Sequence, residues 1–208
     1  MKIASYDLLL FDIGNVIIDI DYSRTIAAFQ RLSGKNISEL LSLQHQVDFF
    51  DLFERGEISA DEFRQKIAVV LQLEKVDAAA IDAAWNALLA SYPAKRFELL
   101  LSLKSKQKIA ALSNINEIHL AAIDHTIQQN FQQPNLAAYF HQVFYSHEMG
   151  MRKPEKRIYQ KVLDDTGISP DKILFFDDKI ENIEAAKALG IEGIHIKKVN
   201  QIVDFIKN

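Results

Sequence analysis

The sequence predicts an α/β protein: a parallel sheet flanked by helices in the Rossmann-like manner, with an inserted all-helical cap domain. Three observations predict it. First, short apolar runs at residues 7–11, 109–112, 143–145, 173–176 and 193–196 have the length of buried strands, and several end on polar residues or glycine. Second, helical patterns separate the later runs, and strands alternating with helices imply a parallel sheet covered on both faces. Third, the stretch from Asp12 to Ser113 far exceeds the roughly dozen residues a βαβ crossover needs. The surplus has to be a domain of its own. The expected division is 1–21 and 94–208 for the core, and 22–93 for the cap.

The elements justify themselves in order. Leu8-Leu9-Leu10-Phe11 is the first strand, stopped by Asp12 and Gly14. Residues 16–21 continue as extended chain, a small hairpin or flap past the Asp12 turn. Ser23 is placed to cap a helix using Ile26, Phe29 and Leu32, ended by Gly34. Ser38 opens another through Leu40 and Leu41, and residues 47–53 form a short apolar stretch before Arg55-Gly56. Ser59 with Glu62 is a capping-box pattern, followed by Phe63, Ile67, Val70 and Leu71 at helical spacing. Asp77 begins one more helix, through Ile81, Trp85 and Leu88-Leu89, ending before Pro93. From Ser23 to Tyr92 the pattern is therefore helix after helix, without a strand.

Beyond it, residues 97–103 form a helix against the sheet, and residues 109–112 form a strand ending in Ser113-Asn114. A helix and loop lead to Pro134, then a short helical piece at 136–140 and the strand 143–145. Pro154 suits the first turn of the helix that uses Ile158 and Val162, which Gly167 ends. The strand 173–176 ends in Asp177-Asp178; a helix stopped by Gly190, the last strand and a short terminal helix follow.

Composition narrows the function. The chain has 208 residues, 49% hydrophobic and 25% charged, enough for a sizeable core. A net charge of −4 gives no electrostatic case for nucleic acid or an anionic membrane. With no cysteine, disulfides, thiolate zinc sites and thiol catalysis are excluded. No run approaches a membrane span and no signal-peptide pattern opens the chain, so the expected location is the cytoplasm.

Ligands of open parallel sheets bind outside the carboxyl ends of the strands. That rim should gather Asp12 with the Gly14-Asn15 turn, Ser113-Asn114, Lys153 and Asp177-Asp178. Each alone reads as an ordinary turn or cap residue. Together they are a coherent set. Three carboxylates repel one another unless a cation joins them, and hard oxygen ligands without Cys or clustered His suggest Mg²⁺. A lysine, a hydroxyl and backbone N–H groups suit an anion with several oxygens, such as phosphate. A carboxylate between the two is placed to attack phosphorus.

The sequences Phe11-Asp12-Ile13-Gly14-Asn15-Val16, Leu112-Ser113-Asn114, Gly150-Met151-Arg152-Lys153-Pro154 and Phe176-Asp177-Asp178 with Asn182 resemble the four motifs of the haloacid dehalogenase-like (HAD) hydrolase superfamily. The likeness spans nearly the whole chain. It is nearest the subfamily with a helical cap between the first two motifs, and similar to bacterial sugar-phosphate phosphatases of the alpha-glucose-1-phosphatase type. The resemblance implies Asp12 as nucleophile and metal ligand, Gly14 as a carbonyl ligand, and Asp178 as direct ligand assisted by Asp177. It implies Ser113 and the N–H of Asn114 as phosphate-binding groups. Lys153 would orient both nucleophile and phosphate, and Asn182 would support the acids. The implied activity is an Mg²⁺-dependent phosphatase of small phosphorylated metabolites, sugar phosphates foremost, through an aspartyl-phosphate intermediate.

One position departs from that pattern. Most phosphatases of the family carry a second Asp two residues after the nucleophile as general acid and base; here it is Gly14. A general acid contributes roughly 10²–10⁴-fold. The expectation is that turnover rises as leaving-group pKa falls, unless a water held by Asn15 or Asp19 stands in. Gly14 keeps two other functions open: haloacid dehalogenation, which uses an attacking Asp without the second one, and a phosphate-ligand binding module with little turnover. Among the remaining residues, His119 is expected at the surface, the alternative being that it faces the site from the loop after Asn114; Phe49, Phe50, Phe53 and Trp85 are expected in the cap core rather than as a substrate platform; and Arg55 and Glu57 are expected to be solvated rather than to reach a substrate.

Overall fold

The computed structural model describes residues 3–34, 43–75, 77–198 and 200–207. Five parallel strands make the main sheet: β1 (Leu8–Phe11), β4 (Lys108–Ser113), β5 (Gln142–Tyr145), β6 (Ile173–Asp177) and β7 (Glu192–His195), in the order β5-β4-β1-β6-β7. A second, two-stranded sheet pairs β2 (Asp19–Ile20) with β3 (Leu89–Ser91). Helices α1 (Tyr22–Ser33), α2 (Leu43–Glu54), α3 (Ala60–Leu71) and α4 (Ala78–Asn86) lie between β2 and β3 in the chain. Then follow α5 (Ala94–Lys104), α6 (Glu117–Phe131), α7 (Ser146–Met149), α8 (Lys156–Thr166), α9 (Ile180–Lys187) and α10 (Gln201–Lys207).

The strand side chains alternate between two cores, as the pleat requires. Leu9, Phe11, Ile109, Ala111, Leu174 and Phe176 pack with Phe97 and Leu100 of α5, Ile123 of α6 and Ile202 of α10. Leu8, Leu10, Ala110, Leu112, Ile173 and Phe175 face the other way, onto Ile158 and Val162 of α8 and Ile183 of α9. Both faces of the sheet are covered, which is why these strands read as unbroken apolar runs rather than alternating ones.

The helices of the insertion have a separate core. Phe29, Phe53, Phe63, Ile67, Leu71 and Ile81 are buried together, with Phe49, Phe50 and Trp85 packed on them. Phe53 stacks on Phe63 at 4.2 Å between ring centroids. These aromatics thus form the cap core, as expected.

The insertion differs from its sequence reading in four places. Among the described residues it is helical but for β3, a strand of three residues, too short to show a period of two. It forms because β2 offers it an edge, Asp19 opposite Ser91 and Ile20 opposite Leu89, and this ribbon brings both ends of the insertion together. Helix α4 accordingly ends at Asn86, short of Leu88-Leu89. Helix α1 is capped by Asp21, not Ser23: the Asp21 carboxylate accepts the Ser23 N–H at 2.9 Å. Residues 47–53 lie within α2. The Ser38 helix start falls outside the described residues. Ser59 and Asp77 cap α3 and α4 as read. In the core, Pro154 precedes α8, which starts at Lys156, rather than occupying its first turn.

The insertion is seated on the core at a glycine. Gly56 follows α2 with φ +67°, and a Cβ added there would lie 2.1 Å from the His147 carbonyl oxygen. Only a hydrogen fits, and the backbone conformation itself favours glycine. Gly56→Ala should therefore cost stability by at least the ~1–3 kcal/mol of a strained left-handed residue. In a chain of this size that lowers the thermal midpoint by roughly 2–4 °C per kcal/mol. An unchanged midpoint in a melting scan would count against this seating.

Candidate active site

Strand register places the chemistry at one level. Phe11 pairs with Ala111 on one side and Phe176 on the other, so Asp12, Ser113 and Asp177 emerge together at the carboxyl end of the sheet. The Asp12 N–H continues the ladder, donating to the Phe176 carbonyl at 2.8 Å. The chain runs from β1 through β4 to β5 on one side, then to β6 and β7 on the other. The crevice beside β1 is thus a switch point, where open α/β sheets bind ligands.

Lys153 is the hub. Its ammonium lies 2.8 Å from Asp12 Oδ1 and 2.7 Å from Asp177 Oδ2, with only 2% of the residue exposed. Asn114 fixes the loop that carries it: the Lys153 N–H donates to Asn114 Oδ1 at 2.8 Å, and Asn114 Nδ2 donates to the Lys153 carbonyl at 2.9 Å. Asp177 is fully buried, and Asn182 Nδ2 donates to its two oxygens at 2.9 and 3.0 Å. The Lys179 N–H also donates to Asp177 Oδ1 at 2.8 Å. Asp178 is less enclosed and accepts Asn15 Nδ2 at 2.9 Å. Asn15 sits at φ 54°, a conformation that Asn tolerates, and its Oδ1 accepts the Ile20 N–H at 3.1 Å. The flap after Asp12 is thereby tied to Asp178.

One oxygen each from Asp12, Asp177 and Asp178 lie within 4.8 Å of one another. Three carboxylates face one lysine, an excess of negative charge that a divalent cation with hard-oxygen preference would offset. The titration of the groups carries the same imbalance. Burial pushes Asp12 up, to about 7, and the charges of Asp177 and Asp178 add to that against the pull of Lys153. Burial alone would lower Lys153; Asp12 and Asp177 outweigh it and hold its ammonium above the ordinary lysine value.

All the residues singled out in the sequence converge here. Ser113, Asn114, Gly14 and Asn182 line the same pocket as Asp12, Lys153 and Asp178, with Asp177 beneath. Neither proposed holder of a stand-in water, Asn15 or Asp19, lines this pocket. Asn15 spends its amide on Asp178 and Ile20. Asp19 is held by the buried Arg96 at 2.7 Å and by Ser91. At Gly14 an added Cβ would come 3.1 Å from Ile20 Cδ1, so any side chain there requires Ile20 to give way.

Five pocket residues escaped the sequence reading: Tyr22 and Glu54 from the insertion, Ile20 from the flap, Arg152 beside Lys153, and Lys179 after the paired acids. Arg152 binds α2 from the core side, 2.8 Å from Asp51 and 2.9 Å from Glu54. The only signal for Glu54 was its place just before Gly56, a glycine where two backbones meet. His119 is not at the surface. It is buried under Trp85, ring centroids 4.8 Å apart, with Nδ1 2.8 Å from Asn86 Oδ1, and burial lowers its pKa to about 3. It is a neutral wall of an adjoining, mainly apolar pocket that shares Gly14 and Ser113 with the catalytic one. Arg55 pairs with Glu57 at 2.6 Å, outside the pocket.

Comparison with known proteins places this geometry. A family model described as haloacid dehalogenase-like hydrolase matches residues 6–190. D-ribitol-5-phosphate phosphatase of Bacteroides thetaiotaomicron is 28% identical over 88% of this chain and 88% of its own. The sesquiterpene phosphatase astK of Aspergillus oryzae is 26% identical, over 93% of this chain and 91% of its own. The crystal structure of a HAD family enzyme from Bacteroides thetaiotaomicron, in complex with magnesium and inorganic phosphate, superposes with a TM-score of 0.84. It is 34% identical and the match covers 94% of this chain and 96% of that one.

Proposed function

The chain belongs to the haloacid dehalogenase-like hydrolases, and from that premise we propose that it is an Mg²⁺-dependent phosphatase of small phosphorylated metabolites, working through an aspartyl-phosphate. The observation that carries this reading is Lys153 held between Asp12 and Asp177 within reach of a three-carboxylate cluster. Asp12, Asp178 and the Gly14 carbonyl would hold Mg²⁺, with Asp177 assisting; the relative of known structure carries magnesium and inorganic phosphate together. When bound, the ion neutralises charge on the phosphoryl group.

The chain's own residues do the rest. Asp12 attacks phosphorus and the bond to the leaving oxygen breaks, leaving an acyl phosphate on Asp12. Lys153, anchored from below by Asp177, aims the nucleophile and meets the phosphoryl oxygens. Ser113 and the Asn114 N–H bind the phosphate on the β4 side. Water then attacks the acyl phosphate and frees Asp12. The insertion, residues 22–93, acts as the cap that selects the leaving group and excludes water.

Sugar and sugar-alcohol phosphates are the first substrates to expect, in line with the relative that takes D-ribitol 5-phosphate. A second reading has its own observation. The pocket opens into a lobe walled mainly by apolar side chains, Ile13, Ile18, Trp85, Leu88 and Ile123 among them, which suits an apolar alcohol as well.

A phosphate-release screen over sugar, sugar-alcohol, nucleoside, acyl and isoprenoid monophosphates tests the proposal. Activity should appear with Mg²⁺, vanish in EDTA and return when Mg²⁺ is restored. Release of chloride from 2-haloacids in EDTA, without phosphate release from any ester, would establish the dehalogenase instead.

A further inference from the structure

Resting on the phosphatase reading, we infer that Glu54, carried into the active site by the cap helix α2, is the general acid and base that Gly14 cannot be. The catalytic pocket and the apolar lobe share Gly14, Ile20, Tyr22, Glu54, Ser113 and Asn114. Phosphorus must lie beside Asp12 and Lys153, and the leaving group must lie in the lobe. The scissile P–O bond therefore crosses the ring of residues the two chambers share. Of those six, only Tyr22 and Glu54 carry an ionisable side chain.

Glu54 is the better fitted of the two. Arg152 Nη2 pairs with the enclosed Glu54 Oε2 at 2.9 Å, but out of line for a well-formed hydrogen bond. The guanidinium also divides its charge with Asp51 at 2.8 Å. Burial raises Glu54 above the ordinary carboxyl range; the Asp51 charge adds to this, and Arg152 and Lys179 oppose it. A carboxyl raised by burial holds its proton more firmly than an ordinary one, the direction that suits a group which gives a proton to a leaving oxygen and takes one back. Tyr22 is pushed above its ordinary value, chiefly by burial, which makes its anion scarce when a base is needed.

The steps balance. As Asp12 Oδ bonds to phosphorus, the electron pair of the breaking P–O bond passes to the leaving oxygen, which takes the Glu54 proton. In the second step water adds to phosphorus and gives its proton to the Glu54 carboxylate, while the Asp12 Oδ–P bond breaks and its electron pair returns to the Asp12 carboxylate. Inorganic phosphate leaves and both residues are restored.

Glu54→Gln keeps the shape and removes the proton. With Mg²⁺ present, kcat/KM for an alkyl ester such as a sugar-alcohol phosphate should fall roughly 10²–10⁴-fold. For p-nitrophenyl phosphate, whose leaving group needs no proton, it should fall less than about tenfold. The steep leaving-group dependence expected from Gly14 would then belong to the variant, while the wild type shows a shallow one. Equal losses on both esters, or the selective loss in Tyr22→Phe instead, overturns the assignment. So does a steep dependence in the wild type, a measurement that needs no variant to fold. A wild type that hydrolyses neither ester sinks the phosphatase reading itself; an active wild type with an indifferent Glu54→Gln sinks only this inference.

Discussion

Asp12→Asn should abolish turnover, by at least about 10⁴-fold in kcat, while leaving the fold intact. The amide is nearly the same size and its oxygen can still accept from Lys153, 2.8 Å from Asp12 Oδ1 in the native chain. What it lacks is the anionic oxygen that attacks phosphorus. The same substitution has a second, opposite consequence. Buried Asp12 is pushed up to about 7, chiefly by desolvation, against an ordinary value of 3.8. A carboxyl raised in the folded state contributes stability that is fully present below its unfolded value and is lost as pH rises through its folded one. Metal-free protein should therefore weaken between about pH 4 and pH 7, on the order of a few kcal/mol at most. The Asn variant should not show that decline. Urea unfolding in EDTA should find the inactive variant the more stable at pH 8, and added Mg²⁺ should reverse the order by binding the wild type more tightly. A wild type that outlasts the variant at pH 8 in EDTA would show that burial does not hold Asp12 above the ordinary carboxyl range.

That trade explains which parts of this molecule were legible in the sequence. The strands were, because burial on both faces leaves unbroken apolar runs: Leu8–Phe11 and Ile173–Asp177 could not be stable elsewhere. The acids and the lysine were legible for the contrary reason. Asp12 and Asp177 are charged residues at the ends of such runs, and Lys153 is a buried lysine just before a proline; local stability gives none of them a place, and sites are where local rules fail. β3 was hidden because three residues make no period and its partner lies across the whole insertion. Glu54 was hidden because nothing around it is unusual: a glutamate ending an amphipathic helix is an ordinary surface residue until Gly56 lets the helix meet His147. His119 was misplaced for a like reason, since its burial depends on Trp85 of another segment. Residues on a single strand end follow from local pattern; residues brought by docking of two cores do not.

Lys153→Met tests the other half of the site, where stability and catalysis are supplied by one ammonium. The native side chain is buried, 2.8 Å from Asp12 and 2.7 Å from Asp177, with its Nζ 5.5 Å from the centre of the Phe175 ring. Methionine preserves much of the stem and its packing. It leaves two buried carboxylates without their cation, a change that typically costs about 3–5 kcal/mol. Asn182 and the Lys179 N–H would still serve Asp177, but Asp12 would face Asp177 and Asp178 with no lysine to offset them. Asp12 should then rise further, so the sign of the pH dependence is fixed: the variant is least impaired in acid, where Asp12 is protonated, and weakens as pH rises. Mg²⁺ should restore part of the stability, because the ion also neutralises the cluster. It should not restore the rate, which ought to fall by at least about 10²–10³-fold, the cost of losing one group aimed at developing charge. Urea unfolding at pH 5 and pH 8, each with and without Mg²⁺, reads all of this. If Lys153→Met were as stable as the wild type at pH 8 in EDTA, the ammonium would not be what holds those acids in place, and the loss of rate would need another cause.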